Sequence, residues 1–169
     1  MTASNKGEAA RQAEKERHRG STVDLLRYIL VALLLFGSIG TLAELFLLEH
    51  LEDWQRVPIV LLSSGILATL LSMVRPGLAT MRLLQAVMVL FVASGLWGLY
   101  FHYTGNVEFE REMVPSLRGF ALFWEAIRGA TPALAPGMMI LLGLLGVAYC
   151  FRHPQLTAGT ANHPTRRSR

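Results

Sequence analysis

The 24 residues from Leu25 to Leu48, LLRYILVALLLFGSIGTLAELFLL, limit what this chain can fold into more than any other stretch. As a helix they rise about 36 Å at about 1.5 Å per residue, enough to cross a hydrocarbon core of about 30 Å with some tilt. A soluble core has no use for an uninterrupted apolar helix of that length, so the solvent of this segment is a bilayer. The stretch is too long for the apolar region of a cleaved signal peptide, about 7 to 15 residues, and no small-x-small site ends it. It reads as a retained signal anchor.

The rest of the chain repeats the pattern. Hydrophobic residues make up 52% of the sequence and mean hydropathy is +0.39, values that belong to the membrane class. Further spans are expected over about 57–74, 83–103 and 133–151, the second opening on Pro58 and stopped by Arg75-Pro76-Gly77. The third ends in Trp97, Tyr100, Phe101 and Tyr103, as an interfacial belt does, and the fourth closes on Arg152-His153-Pro154. The expected fold is an all-α integral membrane protein, a four-transmembrane-helix bundle within residues 25–151. A charged, mobile tail over 1–24 and a disordered one over 152–169 flank it.

Four crossings place both ends of the chain on one side, and the basic residues choose the side. Of the 16 Lys and Arg residues only Arg56, Arg111, Arg118 and Arg128 fall on the opposite face, so both termini are expected in the cytoplasm of a plasma or bacterial inner membrane. The acidic residues lie mostly outside, at Glu44, Glu49, Glu52, Asp53, Glu108, Glu110, Glu112 and Glu125. Orientation explains the basic excess, so a net charge of +4 implies no nucleic-acid partner. Membrane lipid, a second copy or a larger membrane complex are the expected partners.

The connection over 104–132 is the longest outside the spans. Leu117, Phe120, Phe123, Trp124 and Ile127 recur on one side of a helix that Ser116 caps and Gly129 ends, while Arg118, Glu125 and Arg128 take the other side. That pattern predicts an outer amphipathic interfacial helix. Before it, Val107-Glu108-Phe109-Glu110-Arg111-Glu112 alternates in a way that fits a strand or a loop.

Glu44 is a carboxylate inside a span, about one turn before its outer end. At about 100° per residue, Gly37, Gly40 and Thr41 fall within about 60° of it, and small residues mark where a neighbouring helix comes close. On the third span Ser94, Gly95 and Gly98 share a broad face with His102 at a similar outer depth. The expectation is an intramembrane polar pair, Glu44 with His102, acting either as glue between helices or as a proton or cation site. His50, Glu52, His102 and Glu108 are the weak metal candidates, since imidazole with carboxylates suits a divalent transition metal, although no metal-binding motif spaces them. Bis-imidazole haem between His50 and His102 is disfavoured because His50 lies beyond the first span. No cofactor is expected.

A lone cysteine, Cys150, removes the membrane thiol-disulfide oxidoreductases, which need cysteine pairs. No activated nucleophile, phosphate loop or dinucleotide fingerprint is present, so an enzyme is the minority reading. The expected function is that of an accessory or structural membrane protein. The alternatives are a small proton- or cation-coupled transporter centred on Glu44 and His102, and a membrane metal-dependent enzyme using the outer carboxylates.

Overall fold

The computed structural model describes residues 3–49, 56–129 and 136–161. Every regular element in them is helical: α1 (Ala3–Leu47), α2 (Arg56–Val74), α3 (Leu78–Met113), α4 (Gly119–Arg128), α5 (Gly137–Cys150) and α6 (Pro154–Ala161). Three segments, Arg11–Leu47 of α1, α2 and α3, are long and apolar enough to cross a membrane, and they point to a membrane location. The fourth expected span corresponds to α5, whose 14 residues rise about 21 Å.

Two helices run well past the expected spans. No proline or glycine pair interrupts the sequence before Leu25, and α1 begins at Ala3 and continues unbroken into the apolar stretch. At the other end of the bundle α3 continues to Met113, so Val107–Glu112 is helix rather than strand or loop. Nothing between Asn106 and Met113 breaks a helix. Pro115 then disfavours helical backbone at Val114, which turns to φ −134°, ψ 83°. The expected helix at Leu117–Arg128 starts two residues later, with Arg118 rather than Ser116 at its N-cap.

The three long apolar helices and the shorter α5 form a ring in which α1 packs on α2, α2 on α3, α3 on α5, and α5 back on α1. α1 and α3 therefore face each other across a diagonal. The most extensive seam is α3 against α5. Its closeness comes from glycines: a Cβ on Gly143 would lie 2.7 Å from the Met88 carbonyl oxygen, and one on Gly95 would lie 2.9 Å from both Ile140 N and Pro136 O. Met88 also fills the space over Gly146, and the Phe91 ring covers Gly65 of α2. Leu34, Leu62, Met81, Leu84, Met88, Phe91 and Leu142 form the centre of the core. Long apolar side chains elsewhere on α1, α2, α3 and α5, among them Phe36, Val60, Leu67, Val89 and Leu141, face outward, the reverse of a soluble protein.

α4 lies against the extension of α3 beyond Tyr103 through Leu122 and Ala126. Buried Asn106 fixes it by donating from Nδ2 to the Ala126 carbonyl at 2.8 Å, and its side chain sits where a Cβ on Gly129 would be.

Candidate functional site

The two small-residue faces read from the sequence are real packing faces, but both meet α5. Gly37 of α1 is covered by Leu142, while Gly95 and Gly98 of α3 are covered by Ile140 and Pro136. Small residues allow close approach without specifying the partner, and α5 occupies both grooves. Glu44 is exposed, and Gly40 one turn before it has no described atom within 4 Å of where its Cβ would be. His102 is half-buried on α3, one turn beyond Gly98. Both residues lie toward the end of the bundle away from Asp24, on helices that each pack against α5.

Among the described residues no three His, Cys, Asp or Glu side chains gather around a common point. His50 and Glu52 fall outside the described residues. His102 and Glu108 belong to the same helix six positions apart, a rotation of about 240° that sends them to different sides of it.

A cavity with charged and polar residues in its wall stands at the opposite end of the bundle, where the apolar part of α1 begins. It has a volume of about 370 Å³ and is walled by Asp24, Arg27, Tyr28 and Val31 of α1, Ser72 and Met73 of α2, Pro76, Tyr149 of α5, and His153 and Pro154 at the corner between α5 and α6. Arg27 organises it. One guanidinium nitrogen is 3.2 Å from Asp24 Oδ1, and the other donates to the Arg152 carbonyl at 3.1 Å, tying α1 to the α5–α6 corner across 125 positions of sequence. Arg152 turns that corner in the left-handed region, at φ 48°. The guanidinium side chain is 19% exposed and its partner carboxylate 66% exposed, so the pair presents its anionic half to the opening.

His153 faces the same space. Its ring centroid lies 5.4 Å from that of Tyr149, and its Nδ1 accepts a long hydrogen bond of 3.4 Å from the Gln155 N–H in the first turn of α6. Burial pushes the His153 pKa below its ordinary value. The Arg27 charge pushes it the same way, against a smaller opposing pull from Asp24.

The sequence reading passed over this cavity. Two signals for it were present: Asp24 and Arg27 at i,i+3 beside the start of the first span, and Tyr149 and His153 at i,i+4 across the end of the fourth. Neither says that the other is near. The pairs come together only because α5 runs back antiparallel to α1.

No family model matches this chain, and no significant similarity links it to a curated protein or to a solved structure. Its class is defined by the fold alone: the regular elements of the described residues are all helical, three of them long and apolar enough to cross a membrane, with a cavity at one end of the bundle.

Proposed function

We propose that this chain is a four-span accessory or structural protein of a plasma or bacterial inner membrane, with both termini cytoplasmic, packing with itself or with a larger membrane complex. Counting α5 as the fourth span is supported by its wholly apolar sequence and by its place between α1 and α3, which a surface helix would not occupy. α4 is the outer interfacial helix of this reading. It turns Leu122 and Ala126 to the protein and leaves Phe120 and Trp124 exposed, with the Arg128 guanidinium over the Trp124 ring.

The observation that carries the reading is the sealed centre. The α3–α5 seam is closed at backbone distance by Gly95 and Gly143; among the described residues the buried polar ones are Ser38, Thr69, Ser72 and Asn106, no carboxylate, Lys or Arg is buried, and His102 is half-buried with its Nδ1 out of solvent. A carrier needs a titratable or charged group reached by water from each side in turn. Here the intramembrane carboxylate, Glu44, lies outside the bundle's own core, where a partner helix or the interface can receive it.

Purification from native membranes in mild detergent, with crosslinking and mass spectrometry, should return a second copy or a defined membrane partner. Recovery of the chain alone and monomeric overturns the reading. Glu44→Gln should leave both recovery and stability within about 1 kcal/mol of the parent, the scale of polar couplings between membrane helices. A Glu44→Gln variant that stays folded but abolishes proton or cation flux into vesicles would establish the carrier instead.

A further inference from the structure

We propose that the cavity around Arg27 binds the headgroup of an aminophospholipid of the adjacent leaflet, with the lipid phosphate on the Arg27 side and its primary ammonium on Asp24. The depth of the cavity rests on the four-span reading. Its chemistry does not.

The volume, about 370 Å³, falls at the lower end of what small-molecule sites occupy, about 300 to 1,000 Å³. Asp24 immediately precedes the apolar stretch and His153 follows α5 by three residues, so in a four-span bundle the cavity lies at headgroup depth. Arg27 and Asp24 supply one charge of each sign in its wall. His153 stands neutral at pH 7, because burial and Arg27 both oppose its protonation. An anionic ligand alone would meet the exposed Asp24 carboxylate, and a cationic ligand alone would meet Arg27. A ligand bearing both an ammonium and a phosphate satisfies both.

The donors and acceptors agree with that choice. Asp24 engages Arg27 through Oδ1, and at 66% exposure the carboxylate retains acceptor capacity toward the opening. The Tyr28 hydroxyl and the remaining guanidinium N–H groups supply donors for phosphate oxygens. A quaternary ammonium has no N–H to give Asp24, so the primary amine is the better fit. Beside the cavity Leu25 and Ile29 are exposed along α1, a surface along which acyl chains can lie. That surface distinguishes a lipid from a free phosphorylated amine.

The test uses the full chain in detergent, with bound lipid read by native mass spectrometry after addition of phosphatidylethanolamine, phosphatidylglycerol or phosphatidylcholine of identical acyl chains. Phosphatidylethanolamine should be retained over each of the others by about tenfold, or about 1.4 kcal/mol. Asp24→Asn, at an exposed position, should stay folded by circular dichroism, lose that preference and retain phosphatidylglycerol better than the parent. Soluble phosphoethanolamine at millimolar concentration should fail to displace the lipid. Equal retention of the three lipids, or an unchanged preference in Asp24→Asn, overturns the proposal; displacement by soluble phosphoethanolamine overturns the lipid as the source of the headgroup. The spans themselves are tested separately by thiol labelling, so an error of topology and an error of chemistry give different results.

Discussion

Among single residues the glycines carry the sharpest consequences, because each marks a place where backbone is in contact with backbone or is not. A methyl group at Gly95 would meet Ile140 N and Pro136 O, both main-chain atoms that move only if α5 moves. Gly95→Ala should therefore lower stability by about 1 to 3 kcal/mol, the usual result of overpacking. Gly40→Ala places its methyl where no described atom lies within 4 Å and should be neutral or slightly stabilising, since alanine favours helix by up to about 1 kcal/mol. Thermal unfolding of the two variants in one detergent separates them. Equal melting temperatures would mean that the α3–α5 seam does not limit stability. The same residues show how far the sequence could be read: Gly37, Gly95 and Gly98 were recognisable as helix contacts, but a glycine has no side chain with which to name its neighbour.

At the scale of elements, helix continuity is governed by the breakers present rather than by where apolar character stops. α3 leaves the apolar stretch at Tyr103 and continues as a charged helix until Pro115 removes the option. The corner between α5 and α6 is held differently, by Arg27 on the Arg152 carbonyl and by His153, whose own carbonyl accepts from the N–H groups of Leu156 and Thr157. This corner should respond to acid. The folded corner lowers the His153 pKa below 6.5, so it binds fewer protons than the undocked corner once pH drops below that value. Docking is then fully favourable above about pH 6.5 and weakens as pH falls through the lowered pKa. Asp24 and Arg27 of α1 and Tyr149 of α5 are the groups that face the imidazole. Hydrogen exchange at the Leu156 and Thr157 amides, corrected for intrinsic rates, should be slower at pH 7.5 than at pH 5, and His153→Gln should remove most of the difference. Equal protection at both pH values would show that the corner does not sense His153.

The whole molecule is asymmetric along its bundle axis. α1 has 45 residues and α3 has 36, about 67 Å and about 54 Å as helices, and each exceeds a bilayer's hydrocarbon thickness of about 30 Å. Their excess projects at opposite ends: a charged, basic-rich segment before Leu25 on α1, and Glu108, Glu110, Arg111 and Glu112 on α3. With both termini cytoplasmic, cysteines placed at Ser4 and Thr165 should resist an impermeant thiol reagent in intact cells, while one at exposed Gly105 should react. Native Cys150 is buried and should stay silent. Labelling at Ser4 and Thr165 with protection at Gly105 would invert the orientation and move the Arg27 cavity to the outer leaflet.

What the sequence by itself determined is the part that depends on local or one-dimensional physics. The length and polarity of Leu25–Leu48 point to a bilayer, the Lys and Arg distribution gives an expected orientation, and small residues on a helix announce a contact. The amphipathic pattern near Phe120 and Trp124 foretold a separate short helix, and α4 is there. What only the tertiary structure decided is adjacency. Gly37 of α1 and Gly95 of α3 each precede an ionisable residue by about two helical turns, and it is α5 that fills both grooves. The pair Asp24 and Arg27 is more than a hundred positions from the pair Tyr149 and His153, and the two still share one cavity, because α5 returns antiparallel to α1 and ends level with its first apolar turn. Periodicity reports which side of a helix is turned inward. The order of helices around the bundle is set by the fit of Met88, Phe91 and Leu142 into particular glycine grooves, a three-dimensional match that no single helix carries in its own pattern.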